Sequence, residues 1–185
     1  MAMNRFPHEK YASLELNQVA FPKTGMVVSQ VPLGSAFTED APCENGMWVV
    51  ADKAAGVIAA PAAATAKPIG IVYTAEKEYD EFNYGLKNFG RKVAGDYPRV
   101  GILGIGDTVT TNCLQYDTTN FANDAALETA LNAIATTPLY VGIKAGSAIP
   151  EIVKTAPANG PVAKIVKYYT VPNGEKGVKY QIISL

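Results

Sequence analysis

Residues 44–76 read ENGMWVVADKAAGVIAAPAAATAKPIGIVYTAE, and the rest of the chain can be arranged around this stretch. It opens on an Asn-Gly turn at 45–46 that leads into the apolar run at 47–50. A second turn leads to a short apolar pair at 57–58, and after an Ala/Pro/Thr loop the run IGIVY at 69–73 closes the unit. Short β-branched apolar runs bounded by Gly, Asn, Asp or Pro are typical of strands and tight turns. The stretch therefore predicts a small β-meander without a catalytic motif.

The same kind of pattern predicts strands on both sides of this unit. An apolar run at 26–31 precedes it, and two runs within 99–111, separated by a Gly-Asp turn, follow it. Strand character resumes at 139–143. Near the C-terminus, runs at 162–171 and 177–184 flank a Pro-Asn-Gly turn, which indicates a β-hairpin.

One helix is predicted, at about 123–135, in the sequence NDAALETALNAIA. Asn123 can cap the exposed amides at its start. Leu127, Leu131 and Ile134 fall at spacings of four and three, which gives the helix one apolar face. Since a helix of about 12 residues is marginal alone, we expect it to pack on the sheet.

The predicted fold is mainly β: a small barrel or sandwich of roughly 8 to 11 strands with one packed helix. It carries a long loop at about 76–99 and an extended N-terminal arm at 1–24, and residues 25–185 form a single β-rich domain. The chain of 185 residues is long enough to bury a hydrophobic core. Lys164 and Lys167 are interpreted as the solvated face of an edge strand.

The arm contains six large apolar side chains spread among polar ones. Ordering its backbone costs on the order of 20–40 kcal/mol, while burying those side chains returns roughly 9–18 kcal/mol. The arm therefore either pairs with its own domain through backbone hydrogen bonds or stays loose until it lies along a partner. The second interpretation predicts that deleting residues 1–20 leaves the melting temperature within a few degrees of the full chain's.

The loop at 76–99 holds 10 of the 33 charged residues and 5 of the 17 aromatic ones. Connections of this length are unusual inside compact domains and tend to be functional or disordered. Aromatic side chains interleaved with charges suit a surface that packs against another protein, although the rings could also anchor the loop on its own core. The residues predicted to contact a partner are Phe6, Tyr11, Leu14, Leu16, Tyr79, Phe82, Tyr84, Phe89 and Tyr97.

Charge and hydropathy exclude several kinds of partner. The net charge is −1, whereas nucleic-acid surfaces usually carry a basic excess. No apolar run approaches the roughly 18–20 residues that span a bilayer. The polar N-terminus lacks the apolar core of a signal peptide. We expect a protein made in the cytoplasm that binds neither nucleic acid nor membrane.

The residue inventory gives little support to catalysis. The only histidine, His8, lies in the arm, and Cys43 and Cys113 have no ligand spacing typical of a metal site. The two cysteines are interpreted as buried free thiols. A disulfide between them is the alternative if the protein ends up outside a reducing compartment. Paired carboxylates at 39–40 and 80–81 lie in hydrophilic segments, so sugar hydrolysis stays an open alternative. We predict no enzyme activity, no catalytic residue, no metal and no cofactor.

One family resemblance is carried by the unit at 44–76. Its order of a Gly turn, a short strand ending in Asp52, a turn ending in Gly56, an Ala/Thr-rich loop and the IGIV strand resembles the core of the lambda-type phage head-decoration proteins. The wider run GIVYTAEKEYD...LKNF...YPRVGIL..GD..TTN is similar to small structural proteins encoded beside capsid genes in tailed phages. The likeness covers residues 25–113.

This resemblance implies a decoration, or cement, protein of a bacteriophage virion. Such a structural protein binds the outside of the assembled capsid and stabilises it, with the major capsid protein as partner and self-association on the shell left open. It would be made in the bacterial host cytoplasm and end on the capsid surface. The alternatives are another virion component, such as a head fibre base or connector, and a carbohydrate-binding or hydrolytic β-domain.

Overall fold

The computed structural model describes residues 3–8, 12–15, 19, 26–51, 54–66, 68–74, 93–171 and 174–185. The fold is mainly β, with two sheets and one helix in a sandwich-like arrangement, and the described residues form no closed barrel. The predicted fold class is thereby confirmed. No helix in the described part of the chain is long and apolar enough to cross a membrane.

The strands and the helix are short except for the last two strands. In chain order they are β1 (Met3–Arg5), β2 (Val27–Val28), β3 (Trp48–Val50), β4 (Ile69–Val72), β5 (Val100–Ile102), β6 (Thr108–Thr111), β7 (Gln115–Asp117), α1 (Asp124–Asn132), β8 (Tyr140–Gly142), β9 (Glu151–Val153), β10 (Val162–Thr170) and β11 (Lys176–Ser184).

The larger sheet has seven strands in the order β1-β7-β9-β8-β10-β11-β6, and the smaller has four in the order β2-β5-β4-β3. All neighbouring strands are antiparallel except β7 and β9, which are parallel. The connection between those two contains α1 and β8, as parallel pairing requires a crossover. The turn between β5 and β6 carries the chain from the smaller sheet to the larger one.

The main core lies between the two sheets, and Trp48 of β3 is at its centre. Its indole Nε1 donates a 2.9 Å hydrogen bond to the hydroxyl of Tyr180 in β11, and the two rings meet edge to face at 5.9 Å. Both side chains are fully buried. A polar group in a dry core needs such a partner, so this contact fixes how the sheets face each other.

A second core lies on the other face of the smaller sheet, under residues 31–47 and 58–60. Side chains alternate along β3, so that Trp48 enters the main core while Val49 enters the second one. This alternation is the period of two expected of a strand buried on both faces. Val28, Val72 and Val100 belong to the same second core.

The predicted Asn-Gly turn closes one edge of the smaller sheet. Gly46 has φ +94°, and a Cβ there would lie 2.6 Å from the Cβ of Cys113, so only glycine fits. The Asn45 side chain accepts a hydrogen bond from the Thr74 amide at 2.8 Å and donates one to the Thr74 carbonyl at 3.1 Å. The turn is therefore tied to the end of β4.

The predicted meander has a different strand order in the structure. The apolar runs at 48–50 and 69–72 pair directly as β3 and β4, whereas Ile58 and Ala59 make only isolated bridges, to Leu33 and Val50. Ala59 therefore lies on the far side of β3 from β4. The longer apolar run of β4 takes the place between β3 and β5, where both its faces are buried.

The predicted helix is confirmed as α1. The side chain of Asn123 caps it by accepting a hydrogen bond from the Ala126 amide at 2.9 Å, and Leu127 and Leu131 are buried in the main core. The helix ends earlier than the sequence predicts, and residues 133–137 continue as turns. Glu128 on its outer side accepts a 3.1 Å hydrogen bond from the hydroxyl of Tyr168 in β10.

The described residues of the N-terminal arm lie along their own domain. Residues 3–5 form β1, which pairs with β7, and the Phe6 amide donates to the Leu114 carbonyl at 2.9 Å. Leu14 bridges to Thr111 at the opposite edge of the same sheet. Of the two interpretations of the arm, these residues follow the first, because backbone hydrogen bonds supply the stability that its side chains alone could not.

The C-terminal hairpin is confirmed as β10 and β11. β8 pairs with residues 162–164 of β10, so the edge-strand interpretation of Lys164 is wrong, whereas among the described residues Lys167 pairs only with β11. The sequence alone does not reveal that β8 adds to the outer side of β10, because that pairing joins segments about 20 residues apart in sequence. Both lysines are exposed.

Candidate interaction surfaces

The residues predicted to contact a partner have different environments. Phe6 is 2% exposed and belongs to the main core, so it is unavailable to a partner in this structure. Leu14 is half-buried and packs against the same core. Tyr97 is 59% exposed. The other predicted residues lie outside the described part of the chain: Tyr11, Leu16, Tyr79, Phe82, Tyr84 and Phe89.

The two ends of the predicted long loop are fastened side by side. The loop connects β4 to β5, which pair as antiparallel neighbours. Their hydrogen bonding continues one step beyond the strands, where the Tyr73 amide donates to the Arg99 carbonyl at 2.9 Å. The Arg99 guanidinium also lies over the Tyr73 ring, 5.6 Å from its centroid. Since these contacts fix where the chain leaves and rejoins the sheet, the connection is anchored at its base.

The returning end of the loop is held by a turn that contains residues 93–96. The Val93 amide donates to a carboxylate oxygen of Asp96 at 2.8 Å, and the Asp96 carbonyl accepts from the Leu33 amide at 2.9 Å. A further bond joins the Ala94 amide to the Phe37 carbonyl at 2.8 Å. The exposed Tyr97 ring therefore stands on a fixed piece of backbone.

A cleft of about 330 Å³ lies beside the first strand. Arg5 donates to Glu44 at 2.9 Å, and the same carboxylate oxygen accepts from the Ala12 amide at 3.2 Å. Phe37 and Met47 contribute apolar walls. One oxygen of this carboxylate is thus occupied, and the cleft offers a ligand both apolar surface and the polar groups of Arg5, Asp40 and Ser147.

The enzyme alternative can be compared with the carboxylates of the structure. Glu39 and Asp40 are exposed, and residues 75–92, with the predicted pair at 80–81, lie outside the described residues. Sequence reasoning missed two of the buried carboxylates, Asp117 at the end of β7 and Glu151 at the start of β9, because neither has a distinguishing signal in the sequence.

Lys144 joins those two carboxylates, with its Nζ 3.8 Å from an oxygen of each. A hydrogen bond from the Thr119 amide lowers the pKa of Asp117, while burial raises the pKa of Glu151 against the attraction of Lys144. Opposite shifts of this kind also occur in paired acid catalysts. Neither carboxylate lines the cleft described above, and we interpret the cluster as a structural ion-pair network.

The histidine and the cysteines take part in no recognisable catalytic arrangement within the described residues. His8 Nδ1 lies 2.8 Å from the Phe6 carbonyl oxygen, to which it can only donate. Cys43 and Cys113 are both free and fully buried in the second core. Among the described residues, no three His, Cys, Asp or Glu side chains are grouped to hold a metal ion.

No protein-family model matches the chain, and neither the curated proteins nor the solved structures contain a significant match to it.

Proposed function

We propose that this chain is a non-enzymatic structural protein of a phage virion, which binds the outside of the assembled capsid and stabilises it. The observation that carries the proposal is the anchored base of the β4–β5 connection. A segment rich in aromatic and charged residues connects two neighbouring strands whose ends are joined by the Tyr73–Arg99 hydrogen bond, near the exposed Tyr97. The likeness of residues 44–76 to decoration proteins supports the same conclusion.

The mechanism follows from how interfaces gain free energy. Interface cores favour Tyr and Phe, and a few buried aromatic anchors supply most of the binding energy. A loop that projects from a rigid scaffold can insert such anchors between neighbouring coat subunits. Many copies on one lattice would then resist separation of the subunits, which is how a cement protein stabilises a shell.

The first experiment replaces residues 76–92 with a short Gly/Ser linker. Because both ends of the connection are held by hydrogen bonds, we expect the melting temperature to stay within about 5 °C of the full chain's. Cosedimentation with purified shells of the phage that encodes the chain should fall at least about tenfold in affinity, the equivalent of losing one anchor.

A matched control keeps the length and composition of the segment but scrambles its order. Loss of binding in both variants would indicate a specific aromatic interface. A linker variant that binds shells as tightly as the full chain would contradict the proposal for this segment. In electron cryomicroscopy of purified particles, many copies over the shell would support the cement role, whereas about 6 or 12 copies at one vertex would indicate a connector.

A further inference from the structure

The outer face of the β10–β11 hairpin, which turns away from both cores, presents a row of lysines. Directly opposite residues on neighbouring strands point to the same side of a sheet. Ile165 and Tyr180 are paired and face the main core, whereas Lys164 with Gln181 and Lys167 with Lys179 face outward. We call the hairpin face the surface formed by Lys164, Val166, Lys167, Lys179, Gln181 and Ile183.

Two β-bulges add aliphatic side chains to this surface. The register of the hairpin shifts once at Val166 in β10 and once at Ile183 in β11, so each is the extra residue of a bulge. Val166 is 48% exposed and Ile183 is 43% exposed. Bulges often redirect a side chain toward a functional surface. Here each bulge exposes an aliphatic side chain to solvent.

The arrangement of the lysines lowers the stability of the free domain. Lys167 and Lys179 lie directly opposite each other, and like charges in such pairs destabilise a sheet. Neither β10 nor β11 contains Asp or Glu. Glu175, which lies just before β11, has a carboxylate that accepts from Asn112 at 3.0 Å.

We propose that the hairpin face docks on an acidic protein surface bordered by apolar side chains; the inference rests on the proposed function and assigns that surface to the capsid shell. Carboxylates of the partner relieve the repulsion between Lys167 and Lys179, and its apolar groups cover Val166 and Ile183. β8 pairs with residues 162–164 of β10, and β6 pairs with residues 178–181 of β11. The docking proposed here is made by the side chains of the hairpin face.

A protein surface fits this face better than a nucleic acid. Three lysines would neutralise few phosphates, and phosphate binding usually comes with a clear basic excess that this chain lacks. The two exposed aliphatic groups would gain nothing from a phosphate backbone. Against a protein, the same groups would add buried apolar area to the charge complementarity.

The test measures stability and shell binding on the same variants. Lys179→Gln should raise the melting temperature of the isolated domain by about 1–2 °C, because it removes a like-charge pair. The triple variant Lys164→Gln, Lys167→Gln, Lys179→Gln should bind purified shells about tenfold more weakly than the full chain in 50 mM NaCl, with the difference shrinking at high salt. The triple Lys→Arg variant keeps the charge and should retain binding.

The aliphatic part is tested with Val166→Ser and Ile183→Ser, for which Val57→Ser is a matched control because Val57 is 40% exposed elsewhere. Lys154→Gln is the corresponding control for charge.

If the triple Gln variant binds shells as tightly as the full chain, the docking proposal for the hairpin face is overturned and the proposed function still stands. No shell binding by the full chain would overturn both. Binding of a 20-base-pair DNA duplex at about the same strength, lost in the triple Gln variant, would indicate a polyanion site instead.

Discussion

Asp107 is the buried residue at which the chain passes from one sheet to the other. Its Oδ2 accepts a 2.7 Å hydrogen bond from the Gly104 amide, while its Oδ1 is buried and has no partner among the described atoms. Burial raises the pKa of Asp107, and the bond from Gly104 opposes that shift only in part. The carboxyl group holds the turn through one oxygen, while its other oxygen is buried without a hydrogen bond.

Replacing Asp107 by Asn should stabilise the domain at neutral pH, because the amide oxygen can still accept from Gly104 and the buried charge is gone. Since the folded-state pKa is raised, the wild-type carboxyl group stabilises the fold most below the unfolded value of 3.8. That contribution is lost as pH rises through the folded-state pKa. The advantage of the variant should therefore appear above pH 3.8 and grow as pH rises through the folded-state pKa.

Urea denaturation of the wild type and of Asp107→Asn at pH 3.5 and pH 7 measures this difference. A variant that is less stable at both pH values would contradict it, since the second carboxylate oxygen would then have a partner that the amide nitrogen cannot replace.

At the scale of elements, the N-terminal segment closes two parts of the larger sheet. β1 forms one edge beside β7, and Phe6 fills the main core next to it. Glu15 lies along the opposite edge, where its amide donates to the Thr110 carbonyl at 2.9 Å. Because of these contacts, we expect deletion of residues 1–20 to lower the melting temperature, in contrast to the expectation for a loose arm.

Phe6→Ala should lower the free energy of unfolding by about 3–5 kcal/mol, the usual cost of emptying a buried aromatic site. Tyr97→Ala is the control, because its exposed ring should cost no more than about 0.5 kcal/mol. Chemical denaturation followed by Trp48 fluorescence gives both values. Equal stability of the two variants would show that the segment containing Phe6 docks only loosely.

Elements with local signals could be predicted from the sequence, whereas long-range pairing could not. Two elements have signals that lie within a few residues of each other. The cap at Asn123 and the spacing of Leu127 and Leu131 predict α1, and the Pro-Asn-Gly turn predicts the β10–β11 hairpin; both are confirmed. The partner of β1 is a short polar strand far along the chain. In the candidate sites, Tyr97 could be selected because it lies in the aromatic and charged segment at 76–99. The bulges at Val166 and Ile183 depend on the register between two strands, so the sequence carries no local signal for them.

At the scale of the whole molecule, the two cysteines report on the second core. Burial raises the pKa of both thiols above the usual range, that of Cys113 to about 12. At pH 8 both are therefore protonated and screened from solvent, and neither is nucleophilic while the domain stays folded.

We expect Cys43 and Cys113 to react with a thiol reagent such as DTNB only as fast as the whole domain unfolds. The measurement compares the labelling rate at pH 8 with the unfolding rate obtained from denaturant kinetics. The same reagent in 6 M guanidinium chloride, where two thiols should react at once, is the control. Rapid labelling of either thiol without loss of Trp48 fluorescence would show that the second core opens by itself.

The pairing of β1 with β7 also has a consequence for the moment of synthesis. Asn4 and Tyr116, register partners in that pair, are 112 residues apart, and Trp48 contacts Tyr180 across 132 residues. At about 5–20 residues per second, a ribosome exposes β1 many seconds before β7 exists. β1 therefore stays without its partner until residues 115–117 have been made, and Trp48 can contact Tyr180 only after β11 has left the exit tunnel.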